Sequence, residues 1–423
     1  MLFLPSELNN VNSKVVKKKI INDPVYGFIS IDSELVFGLI EHPYFQRLRR
    51  ITQLGLTNVV YPAANHTRFQ HALGATHLMQ KAIQVLRSKG IDISEKESEA
   101  AMIAILLHDI GHGPYSHALE NSIVKNVGHE SISDLLMQKL NEEFDGKLDM
   151  AISIFRGDYP KSFLHQLVSS QLDMDRLDYL KRDSFFTGVS EGVIGSDRII
   201  SMLNVVNGDL VVEEKGIYSI EKFIVARRLM YWQVYLHKTV ICAEFLLLKV
   251  LKRARHLAKE GHKLPVNSSL LFFLKSNFQI EDFKTNKEVI HEFTKLDDYD
   301  VLGAIKNWAS YPDTVLSLLC QSIVDRKLFK TEIQNEAFDE KRLQELQEKF
   351  SSHYKLPKEL SSYFIFTDSI ENLAYTIESE KINILKKNSE VVEISKAADL
   401  FTFASLSDKV EKHFLCYPRV LFA

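Results

Sequence analysis

Apolar residues recur at helical spacing through most of the chain between about Glu41 and Glu260. In HPYFQRLRRITQLG, Tyr44, Leu48, Ile51 and Leu54 fall at steps of four and three, which predicts an amphipathic helix. A second helix is predicted from about Arg68 to Lys89, stopped by Gly90. Ser94 and Glu97 carry the pattern of a capping box ahead of EAAMIAILL. A largely buried helix is therefore expected to end near Asp109, just before Gly111 and Gly113. Further helical segments are expected around 130–142, 161–185 and 219–260. Upstream, Val25, Phe28, Ile29 and Ile31 are grouped around Asp23-Pro24 and Gly27, the pattern of a short hairpin or extended arm. Past Lys263, polar loops (PVNSS, TKLDDYD) separate short helices, and SSYFIFTDSIENLAYTIES and SEVVEIS read as strand-like. The expected architecture is mainly α: an N-terminal arm with a hairpin over 1–40, an all-helical core over 41–262, and a smaller α+β region over 263–423.

Composition sharpens this picture. Gly and Pro number only 17 and 10 in 423 residues, about half of average usage, so turns are few and helices dominate. Lys and Arg total 52 against 55 for Asp and Glu, a net charge of −3, which removes the global electrostatic case for a nucleic-acid-coating protein. Two of the three cysteines, Cys242 and Cys320, lie in apolar runs, and all three are expected to be buried thiols in a reducing compartment. No charged-then-apolar leader opens the sequence and no apolar run reaches the length of a bilayer span, so a cytoplasmic protein with no membrane partner is expected.

Histidines carry the chemical signal. Seven of the 15 fall between His66 and His129, where an even spread would place about two. LLHDIGHGPYSH puts His108 and Asp109 at the end of a buried helix. Successive helical side chains diverge by about 100°, so these two can share one ion only at such an end. An imidazole with a carboxylate suits Fe, Mn, Zn or Co, and two more ligands must come from elsewhere. His71 opens a long helix with Arg68 one turn before it, whereas His77 points away and reads as a surface or core histidine. An acid is available from VSSQLDMDRLDYLKRDS, where Asp173, Asp175, Asp178 and Asp183 crowd together. Asp178 and Arg182, at i and i+4, read as a structural pair. Arg176, Tyr179 and Asp183 form a stripe offering a cation, a ring and an acceptor to one ligand, as a nucleotide requires.

At NDPVYGFI, PYFQRLRRITQLG, HTRFQHALG, LLHDIGHGPYSH, DMDRLDYLKRD and YLHK, from about Ile20 to Lys238, the chain resembles the HD-domain metal phosphohydrolases. Within them it is similar to the deoxynucleoside-triphosphate triphosphohydrolase branch that includes the SAM-and-HD-domain enzyme; no SAM domain precedes the match. The resemblance implies one transition-metal ion held by His71, His108, Asp109 and Asp175, with Mg accompanying the triphosphate. It places Arg68, His117, Arg176 and Arg227 on the triphosphate, Tyr179 and Asp183 at the sugar, and Gln53 and Leu54 beside sugar and base. His112, Glu120 and His129 fall at the acid/base group, with Glu120 standing where close members carry Asp.

The implied reaction is attack of metal-activated water on the α-phosphorus of a deoxynucleoside triphosphate, releasing deoxynucleoside and inorganic triphosphate. A histidine suits proton delivery to the leaving 5′-oxygen, and His129 is the first choice. The resemblance also implies an activating nucleotide between subunits of a dimer or tetramer, at Lys19, Glu41, Gln46, Arg49, His237 and Lys238. Two alternatives remain open at this level: an HD phosphohydrolase acting on another nucleotide or phosphate ester, and a protein that binds nucleotides or single-stranded nucleic acid without turnover.

Overall fold

The computed structural model describes residues 19–116, 127–372, 381–398 and 410–422. Helices dominate, and the sheets are small and peripheral. At the N-terminus, strands Lys19–Asp23 and Gly27–Ile31 pair antiparallel, with Lys19 opposite Ile31 and Asp23 opposite Gly27. Asp23 closes their turn by accepting from the Val25 and Tyr26 amides, and Gly27 supplies the positive φ of +77°.

Two long elements frame the centre. The helix Arg68–Ser88 starts with a capping box between Thr67 and Gln70 and stops before Gly90, whose φ is +85°. The helix Glu95–Leu107 starts with the expected Ser94–Glu97 box: the Glu97 amide donates to Ser94 Oγ at 3.2 Å and the Ser94 amide to Glu97 Oε2 at 2.7 Å. Ala100, Ala101 and the run from Ile103 to Leu107 are buried, so this helix threads the core with its C-terminal end at His108.

Several expected helices are interrupted. The segment read as one amphipathic helix from His42 is two short pieces, Pro43–Gln46 and the 3-10 turn Arg47–Arg50, because Arg47 turns inward. The 161–185 segment splits into Ser162–Val168 and Met174–Thr187, where Asp173 caps the second helix by accepting from the Arg176 amide at 2.6 Å. The 219–260 segment splits into Ile217–Met230 and Lys238–Lys259, joined by a π turn over Tyr231–Tyr235. A hairpin the sequence pattern did not suggest, Leu203–Val206 with Asp209–Glu213, interrupts the helical run; its second strand pairs in parallel with Asn383–Leu385. A three-stranded sheet of Lys330–Gln334, Val410–Tyr417 and Phe366–Asn372 lies in the C-terminal region. All three cysteines are buried and free, as expected. Among the described residues no helix is long and apolar enough to cross a membrane.

The Arg68–Ser88 and Met174–Thr187 helices cross in close contact at Gly74. A Cβ there would lie 2.0 Å from Asp178 Oδ1 and 2.2 Å from Arg182 Nη2. Gly74→Ala should therefore push apart a buried ion pair and cost on the order of 3 kcal/mol of stability. Urea denaturation followed by circular dichroism checks this; an unchanged midpoint would show that the crossing yields easily.

Candidate metal centre and its cavity

His71, on the first turn of the Arg68–Ser88 helix, and His108, capping Glu95–Leu107, are brought edge to face with ring centroids 5.4 Å apart. The proton on each ring has a defined place. His71 Nδ1 donates to Asp178 Oδ2 at 2.8 Å and His108 Nδ1 to the Ile105 carbonyl at 2.6 Å. Both Nε2 atoms are buried without a hydrogen-bond partner. Asp175 Oδ1 lies 3.0 Å from His71 Nε2 and 3.6 Å from His108 Nε2. Asp109 contributes Oδ2 at 3.8 Å from the first and Oδ1 at 3.4 Å from the second. His71 Nε2, His108 Nε2 and Asp175 Oδ1 thus lie close enough to share one point, with outward ring protons fixing the tautomers, an arrangement that fits a divalent transition ion; Asp109 stands beside them and also gathers with His112 and His129.

The electrostatics match. Burial opposes charging of His71, yet the Asp175 and Asp178 carboxylates hold its imidazole up at about 10. Burial likewise pushes the Asp175 carboxyl upward, but His108 and His71 keep it well below the usual carboxylate range. For Asp109 burial is outweighed by Arg68, His108 and His112, and its carboxyl is also held low. A cation at this point replaces protons that the two acids otherwise stabilise on the imidazoles.

Beside the metal ligands, Arg68 pairs with Asp109 through Nη1 and donates to Ser116 Oγ through Nε at 2.8 Å. His112 lies with Nε2 3.3 Å from Asp109 Oδ1, and its ring stacks on His129 at 3.8 Å and 17°. Burial and the Arg68 charge hold His112 well below the ordinary histidine range, so its imidazole is neutral at physiological pH. This stack depends on Gly111, where a Cβ would meet the His129 carbonyl at 2.3 Å and the Ser133 amide at 2.4 Å. The room the glycine leaves is filled by the helix His129–Glu143, which delivers His129 on its first turn.

These groups open onto a cavity of about 720 Å³. Arg176 and Arg227 line it, Arg176 paired with Asp173 and Arg227 donating to Gln171 Oε1 at 2.9 Å. Tyr179 faces Tyr235 with centroids 6.2 Å apart, and Asp183 sits beneath, accepting from His66 Nε2 and the Tyr235 hydroxyl, each at 2.7 Å. Gln53 and Leu54 form another part of the wall. His117 and Glu120 lie outside the described residues. Sequence reasoning passed over His66, Tyr235 and Glu244, and over Arg156 and His165, which also line the cavity. A lone acid in the apolar run ICAEFLLL was the available signal for Glu244.

The positions expected for an effector fall into two groups within one chain. Gln46 Oε1 accepts from Arg49 Nε at 2.8 Å, Arg49 stacks over Phe69, and Lys19 lies over Phe37, with Glu41 exposed nearby in sequence. His237 caps the Lys238–Lys259 helix against Tyr61, and Lys238 is exposed.

The turn after His108 is braced from a distance. Fully buried Arg47 donates to the carbonyls of Ile110, His112 and Leu296 at 2.9, 2.8 and 3.1 Å. Asp298 accepts from the Thr52 amide and hydroxyl and from the Tyr115 amide, at 2.8, 2.7 and 2.6 Å. Burial lifts the Asp298 carboxyl to about 6, so it remains mainly ionised at neutral pH as the acceptor of all three.

Comparison with known proteins places these residues in a family context. The HD domain profile matches residues 68–182 and the HD associated region matches 194–263. An uncharacterized Bacillus subtilis protein is 30% identical over 97% of this chain and 94% of its own length. The Dictyostelium discoideum homolog of the deoxynucleoside triphosphate triphosphohydrolase SAMHD1 is 31% identical over 58% of this chain, which spans about half (51%) of that relative. A Bacteroides thetaiotaomicron phosphohydrolase has a solved structure of TM-score 0.93 at 51% identity, covering 95% of this chain and 100% of that one.

Two outcomes test the site. Asp175→Ala should abolish retention of a transition ion, measured by elemental analysis, with helix content unchanged by circular dichroism; full retention would refute the ligand set. Asp298→Ala should speed hydrogen exchange at the Thr52 and Tyr115 amides about tenfold or more, the loss of a hydrogen bond worth about 1.5–3 kcal/mol. Unchanged protection would dismiss the brace.

Proposed function

This chain belongs to the HD-domain phosphohydrolase family, and from that premise we propose that it hydrolyses deoxynucleoside triphosphates to deoxynucleoside and inorganic triphosphate. The observation that supports this reading is a single cavity carrying three kinds of wall: the donors His108, Asp109 and Asp175 with buried His71 behind them, the guanidinium groups Arg68, Arg176 and Arg227, and the Tyr179–Tyr235–Asp183 group. A triphosphate brings about three to four negative charges, which the arginines oppose; a deoxyribose offers an apolar face to a tyrosine ring and a hydroxyl to a carboxylate.

His71, His108, Asp109 and Asp175 would hold the ion, with Fe, Mn, Zn and Co all compatible and Mg accompanying the triphosphate. Such an ion, when bound, supplies a Lewis acid that lowers the pKa of water from about 16 towards 7. Arg68 orients Asp109 and lies against the phosphates with Arg176 and Arg227. Water adds to the α-phosphorus as the bond to the 5′-oxygen breaks; His129 delivers a proton to that oxygen and regains one from the attacking water, while neutral His112 holds the stacked ring in place. By family position His117 joins the triphosphate contacts and Glu120 the acid/base group. Tyr179 covers the sugar where a 2′-hydroxyl would sit. Asp183 retains lone pairs beyond those engaged by His66 and Tyr235, enough to accept a 3′-hydroxyl. Gln53 and Leu54 lie beside sugar and base. The protein acts on the cytoplasmic nucleotide pool as a homo-oligomer, with an activating nucleotide held between subunits by Lys19, Glu41, Gln46, Arg49, His237 and Lys238; nucleic acid is not its partner.

Purified protein supplied with Mn²⁺ or Mg²⁺ and each dNTP, alone and in pairs, should yield deoxynucleoside and triphosphate on chromatography. GTP should be cleaved far more slowly than dGTP, and mixtures should outperform single nucleotides. Release of orthophosphate or pyrophosphate would place the enzyme on another phosphate ester, and absence of turnover under all conditions would refute the assignment.

A further inference from the structure

Glu244 lies on the second turn of the Lys238–Lys259 helix, where its neighbours Cys242, Ala243, Leu246 and Leu247 are buried. Its carboxyl faces the cavity rather than the core. It sits over the turn that follows Gln53 and Leu54: a Cβ placed on Gly55 would lie 3.2 Å from Glu244 Oε1. Gly55 adopts a φ of +52°, so this turn presents backbone, without a side chain, to the acid. Among the described residues Glu244 makes no hydrogen bond and no ion pair, and burial alone lifts its carboxyl to about 8. Nearby, Gln53 Oε1 is also buried without a partner.

A desolvated acid is costly to keep, and among the described residues no counter-charge offsets the effect of burial on Glu244. The missing partner is then one that arrives with the ligand. Under the proposed function Arg68, Arg176 and Arg227 are matched to phosphates, and Asp183 and Tyr179 to a deoxyribose. What a nucleotide still has to present is the hydrogen-bonding edge of its base. A neutral carboxyl group carries a donor beside an acceptor, the pairing by which an amide side chain reads an adenine edge.

We propose that Glu244 is a specificity-determining residue: its carboxyl group hydrogen-bonds the edge of the substrate's nucleobase and sets the preference among deoxynucleoside triphosphates. This deepens the proposed function and rests on it. The same carboxyl explains why the Gly55 turn is bare, since a side chain there would crowd the acid against the base.

The test compares kcat/KM for dATP, dGTP, dCTP and dTTP on the unaltered full-length protein and on Glu244→Ala and Glu244→Gln. Ratios among four substrates measured on one preparation do not depend on how much of it is folded. The unaltered protein should prefer some bases over others, and Glu244→Ala should shrink the spread between best and worst substrate by about fivefold or more, the loss of one buried hydrogen bond. Glu244→Gln, which keeps a donor beside an acceptor, should preserve the order. Equal use of all four bases by the unaltered protein, or an unchanged order and spread in Glu244→Ala, would overturn the assignment while leaving triphosphohydrolysis intact. If no dNTP is hydrolysed by the unaltered protein and none binds it in equilibrium dialysis, the functional reading falls first and this assignment falls with it.

Discussion

One buried column of charge organises this protein. Asp23 of the N-terminal hairpin accepts from Arg182 Nη1 at 2.8 Å, Arg182 grips Asp178 through Nε and Nη2 at 2.9 and 3.1 Å, and Asp178 accepts from His71 Nδ1 at 2.8 Å. Arg182, Asp178 and His71 are fully buried. In such surroundings each charge is tolerable only because the next one meets it, so the column stands or falls as a unit. Its product is chemical: it keeps a proton of His71 on Nδ1 and turns Nε2 toward Asp175 and Asp109, where a cation would take the place of the second proton. A turn more than forty residues upstream of His71 thereby helps orient this candidate metal donor. Gly74 is what lets the two helices approach closely enough for the column to form.

A second constraint follows from helix geometry. His108 and Asp109 are adjacent, and adjacent side chains converge only where a helix stops. The stop must then be held, because its backbone carbonyls have left the helical ladder. Arg47 takes those of Ile110 and His112, and Asp298 takes the Tyr115 amide. Asp298 belongs to the region beyond 262, so that region contributes directly to the shape of the turn after His108. The broken helix around Arg47 has the same origin: a guanidinium that must reach inward to three carbonyls cannot remain on the outer face of a regular amphipathic helix.

These two constraints also divide what the amino-acid pattern reveals from what it conceals. Local rules were legible: the Ser94–Glu97 box, the stop at Gly90, the hairpin around Asp23 and Gly27, and the pairing of Asp178 with Arg182 each depend on residues a few positions apart. The clustering of His71, His108 and Asp175 was legible because such residue types are rare in apolar helices and their order resembled a known family. Contacts between distant segments were not. Nothing near TKLDDYD announces that Asp298 reaches Thr52, and HTRF does not reveal that His66 ends beneath Asp183. The breaks at Asp173 and Leu236 escaped notice because a capping aspartate or a π turn inside an apolar-periodic stretch leaves the period almost intact. Glu244 was visible as an oddity, yet only the cavity gives the oddity a use.

The electrostatics of the cavity link its parts in a definite way. Arg68 is paired with Asp109 and Arg176 with Asp173, whereas Arg227 is bound by a neutral amide. Two of the three arginines are therefore largely balanced by carboxylates, and with Asp175 also on the wall the empty cavity offers a polyanion little net attraction. An ion held by His71, His108, Asp109 and Asp175 would place its charge where those acids otherwise hold protons on the two imidazoles. Under the proposed reaction Asp109 would link ion and triphosphate, because it lies beside the imidazole donors and pairs with the Arg68 guanidinium.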